Sequence, residues 1–290
     1  MIFTDLDGTL LDHETYEWKA ALPALTRCRE THVPVIPLSS KTRAEMEILR
    51  RRLGLSGPFA SENGGGVFLP KGLFPQPPQG AVDAKALPPF KNHPIRPDGP
   101  DTSNWWEIPL GVPYAYLVEV LREMREAMGY PVKGFSDMGI EEISQRTGLP
   151  EEDAYLAQLR EYDEPFIVPD DGSGALSSLV KSAEEKGLKV TQGGRFYHLQ
   201  GKNDKGEAVK RILALYRARY GDIRSVALGD SHNDFSMLQE ADFPVLVRSE
   251  QEFPSLMDKI PGLTITPASG PAGWNWAVSR LLRQNEEVIT

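Results

Sequence analysis

The chain has 290 residues, of which 40% are hydrophobic, and a formal net charge of −9 at pH 7. This length suits one large domain or two moderate ones, and the acidic balance argues against a nucleic-acid partner, which would favour a basic surface. No stretch approaches the ~18 apolar residues of a membrane span, and the single cysteine, Cys28, cannot form an internal disulfide. We therefore expect a cytoplasmic protein with no membrane partner; a homo-oligomer stays open.

The first segment predicts a short buried strand that ends in two carboxylates. Ile2 and Phe3 are apolar, Asp5 and Asp7 follow, and Gly8 then breaks the extended pattern. Alternation along a strand places both aspartates on the same side, where their charges repel unless a cation lies between them. Oxygen-only ligands favour Mg²⁺ over Zn²⁺. The alternative is a turn in which an aspartate caps loop amides.

The next predicted elements alternate between strands and helices. They are a helix over 16–30, a strand over 33–38, a helix over 43–53 and a strand, glycine turn and strand over 59–69. This order is typical of a parallel sheet wrapped by helices. Ligands of such sheets bind at the carboxyl ends of the strands, and Asp5, Ser39 and Asn63 lie at such ends.

The central part of the chain has a different pattern. A linker rich in proline and glycine is expected over 70–99. The predicted elements that follow are a strand at 105–108, a helix over 114–128, two short helices within 134–160, a strand at 164–168, a helix over 175–186 and a hairpin of 188–192 with 195–200. This mixture indicates an inserted α+β domain.

The α/β pattern then returns, with a helix over 205–220, a strand at 225–228, a helix starting at 235, a strand at 243–247 and a helix over 274–283. We therefore expect a Rossmann-like parallel-sheet core formed by residues 1–82 and 200–290, with an inserted cap domain formed by residues 83–199.

A second acidic loop follows the strand at 225–228 and contains Asp230 and Asp234. If this strand lies parallel to the first, four carboxylates converge at one edge of the sheet. Burying so much like charge unpaired would cost several kcal/mol, so a divalent cation is expected there. A helix cap explains one of these carboxylates, Asp234 above all, but not four.

Together, Asp5-Leu6-Asp7-Gly8-Thr9 and Gly229-Asp230-Ser231-His232-Asn233-Asp234 resemble the motifs of the haloacid dehalogenase superfamily, phosphatase branch. The resemblance implies that Asp5 is the nucleophile, Asp7 the general acid and base, and Ser39 a phosphate contact. It also implies Mg²⁺ bound by Asp5, the carbonyl of Asp7, Asp230 and Asp234. The insert is similar to the large cap of the Cof-type members.

The same resemblance requires a lysine before the last acidic loop. Two are available, Lys202 and Lys205. The family usually has a Lys-Gly pair that opens a helix, so we assign the catalytic role to Lys205 and expect Lys202 to be a solvated loop charge.

Three further stretches are similar to the mannosyl-3-phosphoglycerate phosphatases, which release phosphate and form mannosylglycerate, a compatible solute. They are Ser39-Ser40-Lys41-Thr42, Glu62-Asn63-Gly64-Gly65 and Gly193-Gly194-Arg195-Phe196-Tyr197-His198. A substrate carboxylate requires a cation, for which Arg195 and Lys133 are candidates. Sugar hydroxyls require mixed donors and acceptors. The predicted substrate-binding residues are Ser40, Lys41, Glu62, Asn63, Gly64, Lys133, Arg195, His198 and Asn233.

Several alternatives stay open at this point. Arg195 and Lys133 are also compatible with solvated charges, and His198 with an ordinary strand residue. Phosphomannomutases and the trehalose- and sucrose-phosphate phosphatases share the scaffold. A catalytically silent sugar-phosphate sensor is a hypothesis of another class, although Asp5 and Asp7 are both present.

Overall fold

The computed structural model describes residues 1–87, 104–168, 174–193, 195–251, 253 and 256–287. The helices in chain order are α1 Leu22–Glu30, α2 Arg43–Arg52, α3 Tyr114–Met128, α4 Ile140–Thr147, α5 Glu151–Gln158, α6 Ala175–Glu185, α7 Lys205–Tyr220, α8 Phe235–Gln239, α9 Leu256–Lys259 and α10 Gly270–Glu287. The strands are β1 Ile2–Thr4, β2 Val35–Pro37, β3 Phe59–Ser61, β4 Gly66–Pro70, β5 Val82–Asp83, β6 Trp105–Pro109, β7 Lys133–Gly134, β8 Asp163–Ile167, β9 Lys189–Gly193, β10 Phe196–Gln200, β11 Val226–Gly229, β12 Phe243–Arg248 and β13 Thr264–Ser269. Among the described residues, no helix combines the length and the apolar character that crossing a membrane requires.

The chain forms two compact units. The first contains Met1–Ser39, Leu55–Ala60 and Asp204–Thr290, and the second contains Ser40–Gly54 and Ser61–Asn203. The second unit is thus inserted into the sequence of the first. By its packing it takes in residues 40–54 and 61–82, which the sequence assigned to the core. The predicted domain boundaries at 83 and 199 stay a prediction.

The first unit is built on a five-stranded sheet in the order β13-β12-β11-β1-β2, and its strand pairs are parallel. Thr4 at the end of β1 lies opposite Pro37 of β2 and Leu228 of β11. Three strands therefore end at the same edge. The predicted α/β fold with a parallel-sheet core is confirmed.

Trp274 anchors the central strand of this sheet from α10. Its indole is fully buried, and Nε1 donates to Thr4 Oγ1 at 3.0 Å. Thr4 Oγ1 in turn donates to the carbonyl of Asp5 at 2.7 Å. A buried indole N–H requires an acceptor, and here that acceptor fixes the backbone immediately before the first aspartate.

The second unit contains antiparallel sheets, as expected for an α+β domain. One sheet has the order β7-β8-β10-β9, and a second pairs β4 with β6 and β6 with β5. An apolar cluster from α3, α6 and one face of the first of these sheets forms a core, which includes Leu117, Leu121, Phe166, Leu179 and Leu199.

Several predicted boundaries were wrong. The helix predicted from Tyr16 begins at Leu22, after a 3₁₀ turn at Lys19–Ala21. Tyr16 has a φ of 56°, and Asp12 accepts hydrogen bonds from Thr15, so a polar turn replaces the first helical turns. The expected linker over 70–99 contains β5, and its residues 88–99 lie outside the described part of the chain, as does Gly194 of the predicted hairpin turn. The strand β13 was not predicted.

Candidate active site

The acidic residues lie where the parallel strands of the first unit end. Asp5 follows β1, and its N–H donates to the carbonyl of Leu228 in β11 at 2.9 Å. Asp230 follows β11 directly. Because both strands run in the same direction, the two side chains emerge at one edge of the sheet.

Three carboxylates meet at this edge. Oxygen atoms of Asp5, Asp230 and Asp234 all lie within 4.8 Å of one another. The ammonium group of Lys205, the first residue of α7, lies 2.6 Å from Asp5 Oδ1 and 2.6 Å from Asp234 Oδ1. Lys205 and Asp234 are fully buried. Lys202, the other candidate lysine, is exposed.

Asp234 also holds together the loop that carries Asp230. Its second oxygen, Oδ2, accepts the N–H groups of Asp230 and Ser231, both at 3.0 Å. Gly229 makes this possible, because a Cβ at that position would lie 2.3 Å from Asp234 Cβ. The capping role considered from the sequence is therefore present, and the other oxygen of the same carboxylate still reaches Lys205.

The turn after β1 packs against the same loop. Gly8 has a φ of 82°, and a Cβ there would lie 2.6 Å from Asp230 Oδ2. The hydroxyl of Thr9 donates to Asp230 Oδ1 at 3.0 Å. Glycine is thus required at position 8 for two reasons, its left-handed backbone and the close approach of a carboxylate.

Burial dominates the electrostatics of the cluster. It raises the pKa of Asp5 well above the ordinary value, and the charge of Lys205 opposes that rise. Burial, followed by the charge of Asp234, raises the pKa of Asp230 to about 6. For Lys205 burial disfavours the charged form, yet Asp234 and Asp5 together raise its pKa above the usual value. The site therefore has more negative charge than its lysine can balance.

A divalent cation fits this arrangement. Three ionised carboxylates and one ammonium group leave two negative charges in a buried space, and a divalent ion neutralises them. The available donors are carboxylate oxygens, which suit hard cations rather than zinc.

Asp7 and Ser39 lie in the same unit. Asp7 is half-buried in a turn in which Gly8 N–H donates to the carbonyl of Leu11 at 2.9 Å. Ser39 is buried after β2, and its N–H donates to the carbonyl of Ala60 at 3.1 Å. Asn233 is exposed on the second acidic loop, where its Oδ1 accepts the hydroxyl of Ser231. The predicted roles of these three residues stay predictions.

The motif around Glu62 performs a structural task inside the second unit. The carboxylate of Glu62 is buried and accepts the N–H groups of Glu161, at 3.0 and 3.2 Å, and of Tyr162, at 2.8 Å. Asn63 and Gly64 both have left-handed backbone conformations. The predicted contacts of Glu62, Asn63 and Gly64 with a sugar stay predictions.

The remaining predicted substrate residues all belong to the second unit and already have protein partners. The carbonyls of Ser40 and Lys41 accept from Arg160 and from the Glu62 N–H. Lys133 pairs with Glu142 at 2.6 Å, and exposed Arg195 donates to the carbonyl of Arg146 at 3.1 Å. His198 Nδ1 lies 2.8 Å from Asp163 Oδ2.

The sequence analysis missed Thr9, Arg160 and Asp163. Thr9 supports Asp230, and Arg160 pairs with Asp163 at 3.3 Å. The signal for Thr9 was its position inside the first motif. Asp163 directly precedes the strand predicted at 164–168 and forms an acidic pair with its first residue, Glu164. A charged pair beside an otherwise apolar strand is a sign of a buried polar network.

Comparison with known proteins agrees with this geometry. A family model described as haloacid dehalogenase-like hydrolase matches residues 178–252. The chain is 38% identical over 290 residues to the glucosyl-3-phosphoglycerate/mannosyl-3-phosphoglycerate phosphatase of Methanococcoides burtonii. This match covers 99% of each chain. It is 37% identical over 249 residues to the mannosyl-3-phosphoglycerate phosphatase of Pyrococcus horikoshii, covering 86% of this chain and 90% of that one.

Solved structures resemble the chain in fold. Thermoplasma acidophilum 0175 matches with a TM-score of 0.63 at 18% identity, covering 96% of each chain. BT1666 of Bacteroides thetaiotaomicron, a phosphatase of the haloalkanoate enzyme superfamily, matches with a TM-score of 0.61 at 14% identity, covering 96% of this chain and 93% of that one.

Proposed function

Since the chain belongs to the haloacid dehalogenase-like hydrolases, we propose that it is a phosphatase that hydrolyses mannosyl-3-phosphoglycerate or its glucosyl counterpart. The products are the glycosylglycerate and phosphate. Support for the substrate comes from relatives with these names that match almost the whole chain. The reaction rests on one observation in particular, the Lys205 ammonium between Asp5 and Asp234 beside Asp230.

In this proposal Asp5 is the nucleophile. One of its oxygens forms a bond to phosphorus while the bond between phosphorus and the glycerate oxygen breaks, and Asp7 gives its proton to that departing oxygen. Asp7 then takes a proton from water, which attacks the aspartyl phosphate, releases phosphate and restores the Asp5 carboxylate. Two anions must approach each other in the first step, so positive charge beside Asp5 is essential.

Lys205 supplies part of that charge and fixes the direction of the Asp5 carboxylate. Ser39 is proposed to donate to a phosphate oxygen. Mg²⁺ is proposed to be held by Asp5, Asp230, Asp234 and the carbonyl of Asp7, and when bound it supplies neutralisation of the transferring phosphoryl group. It also favours the ionised form of Asp5, which burial alone disfavours.

The test is release of phosphate from mannosyl- and glucosyl-3-phosphoglycerate in the presence of Mg²⁺. Asp5→Asn is expected to lower kcat by about 10³-fold or more, because the nucleophile is lost. Asp7→Asn is expected to slow both steps, because Asp7 gives the proton in the first and takes one in the second. Wild-type enzyme quenched during turnover is expected to carry a hydroxylamine-sensitive phosphoryl group, detectable by intact mass. Binding without turnover by the wild type would support a sensor instead, and interconversion of mannose 1-phosphate and 6-phosphate would support a mutase.

A cytoplasmic location and the oligomeric state stay predictions; the single cysteine supports the former.

A further inference from the structure

The main chain at the end of β1 is held by both neighbouring strands and by one side chain. The carbonyl of Thr4 accepts the N–H of Leu38 at 2.8 Å. The N–H of Asp5 donates to the carbonyl of Leu228 at 2.9 Å. The carbonyl of Asp5 lies one step further along the chain, where it accepts the hydroxyl of Thr4 at 2.7 Å. A threonine side chain therefore holds the peptide group that follows Asp5.

The indole of Trp274 determines the direction of the Thr4 hydroxyl. A hydroxyl has one proton, whereas an indole N–H can only donate. Because Trp274 Nε1 lies 3.0 Å from Thr4 Oγ1, this oxygen accepts from the indole, and its own proton is directed to the Asp5 carbonyl. Thr4 and Trp274 are both fully buried, so bulk water does not compete for these bonds, and leaving either group unpaired would be costly. We call the two bonds from Trp274 through Thr4 to Asp5 the relay.

The position of Trp274 is itself fixed within the first unit. A Cβ at Gly273 would lie 2.1 Å from the carbonyl oxygen of Ala268 in β13, so only a glycine lets α10 approach the strand this closely. On the other side of Trp274 in the sequence, Asn275 Oδ1 accepts the N–H of Ala24 in α1 at 3.0 Å. Contacts with a strand and with a helix thus flank the indole, and they leave it little freedom to move.

Asp5 is therefore fixed at two points. At the tip of its side chain, Oδ1 lies 2.6 Å from the ammonium group of Lys205. At its main chain, the relay holds the carbonyl. The contact with Lys205 alone would let the carboxylate pivot about that contact, and the second fixed point removes this freedom. A misplacement of about 1 Å can cost about 10²-fold in rate, so the pivot matters for a group that attacks phosphorus.

We propose that Thr4 and Trp274 are positioning residues for Asp5 in the phosphatase reaction. They act through the main chain of Asp5, and not through contact with the phosphate. The proposal rests on the proposed function, since it takes Asp5 to be the nucleophile. It gives α10, which follows the last acidic loop in the sequence, a part in the chemistry.

Thr4→Val tests the relay, because it keeps the shape of the side chain and removes the hydroxyl on which both bonds depend. The kcat for release of phosphate from mannosyl-3-phosphoglycerate is expected to fall about 10- to 100-fold. The KM should stay within about twofold, because no group that binds the substrate is changed. Thr4→Ser retains the hydroxyl and should have a kcat within about threefold of the wild type. Serine is smaller than valine, so a defect of packing alone would not be restored by it.

Trp274→Phe tests the other end of the relay. It removes the indole donor and leaves the bond between Thr4 and Asp5, although the hydroxyl is then free to turn away. The kcat is therefore expected to fall less, about three- to fivefold. The double variant with Thr4→Val should have the kcat of Thr4→Val alone, since the relay is already broken at Thr4. Two independent packing defects would instead multiply their effects.

Thr266→Val is the matched control. Thr266 is also fully buried, and its hydroxyl accepts the N–H of Arg248 at 3.0 Å and donates to the carbonyl of Ala268 at 2.6 Å. It belongs to β13 at the edge of the sheet, with β12 and β11 between it and β1. The melting temperature should fall in both valine variants, but kcat, measured well below each melting temperature, should fall only in Thr4→Val.

The outcomes separate the two proposals. If the wild type releases no phosphate from mannosyl- or glucosyl-3-phosphoglycerate with Mg²⁺, the proposed function is overturned and this inference with it. If the wild type is active and Thr4→Val retains its kcat, or if Thr266→Val loses as much kcat as Thr4→Val, only the relay is overturned. If Thr4→Val does not fold, Trp274→Phe decides: an unchanged kcat overturns the relay, and a three- to fivefold fall with unchanged KM supports it.

Discussion

Lys205→Met tests the charge balance of the candidate active site directly. The variant removes the only ammonium group that contacts Asp5 and Asp234 among the described residues, and it leaves three carboxylates with oxygens within 4.8 Å of one another. Breaking a buried pair by removing one partner costs about 3–5 kcal/mol. Since Lys205 and Asp234 are fully buried, solvent does little to reduce this cost.

The free energy of unfolding should therefore fall by about 3–5 kcal/mol in urea with EDTA at pH 7.5. Lowering the pH should reduce this deficit, which is the difference in the free energy of unfolding between the wild type and the variant. Burial raises the pKa of Asp5 and that of Asp230, the latter to about 6, and the charge of Lys205 opposes both rises. Without this ammonium group both pKa values rise further, so the folded variant binds protons at a pH where the folded wild type releases them. The folded variant then gains relative stability as the pH falls through 6.

Mg²⁺ should reduce the deficit as well, so the gain in stability on adding Mg²⁺ is expected to be larger for the variant than for the wild type. The kcat of the variant should still fall by about 10²–10³-fold, because one preorganised charge is missing. Lys202→Met is the matched control, since Lys202 is exposed and three residues away. Equal urea midpoints for Lys205→Met and the wild type in EDTA would refute the charge-balance reasoning.

Three further variants examine neighbouring features. Gly8→Ala should weaken Mg²⁺ affinity at least about tenfold, because its Cβ would lie 2.6 Å from Asp230 Oδ2 at a φ of 82°. Gly57→Ala is the control: a Cβ at position 57 would have no other atom within 4 Å, so the change of melting temperature with Mg²⁺ concentration should equal that of the wild type. Equal Mg²⁺ affinities of Gly8→Ala and the wild type would contradict the close approach of Asp230. Asp230→Asn should abolish the rise in melting temperature that Mg²⁺ causes, because a metal ligand is lost. The same variant should stabilise the metal-free protein, since one of three like charges is removed. If the melting temperature of the variant rises with Mg²⁺ as in the wild type, Asp230 is not a ligand. Burial raises the pKa of Glu47 to about 7, so between pH 5 and 7 the folded state keeps a proton that the unfolded state releases, and stability falls by up to about 1.4 kcal/mol per pH unit. Glu47→Gln should lack this loss, and a difference in urea midpoint that does not grow from pH 5 to pH 7.5 would show that Glu47 titrates normally.

The parts of the site that could be predicted from the sequence are those in which local pattern determines position. A short apolar run before Asp5 predicts a strand, and its carboxyl end must place Asp5 at the sheet edge. The same argument applies to Asp230 after β11. Only the parallel pairing of the two strands had to be assumed, and the alternation of strands and helices supports that pairing.

Other features depend on contacts between distant residues and leave little trace in the sequence. Nothing near Glu62 indicates that its carboxylate accepts N–H groups from residues about 100 positions later, at Glu161 and Tyr162. From the sequence alone, a glutamate at a predicted ligand-binding edge is expected to bind a ligand. The sequence does not distinguish a carboxylate that binds a sugar from one that accepts main-chain N–H groups. The helix start at Tyr16 was wrong for a more local reason, because Asp12 hydrogen bonds compete with the helix.

The position of the lysine shows how a short motif encodes a long-range contact. Asp204 is the N-cap of α7, and its side chain accepts the N–H of Glu207 at 2.9 Å, which fixes Lys205 as the first helical residue. Gly206 lets the helix end approach the second acidic loop, since a Cβ there would lie 2.7 Å from the carbonyl oxygen of Ser236. Its N–H also donates to Ser236 Oγ at 3.1 Å. The N-cap determines the direction of the Lys205 side chain, and Gly206 determines how close Lys205 lies to the second acidic loop. Lys202 is three residues earlier and outside the helix, so neither constraint acts on it.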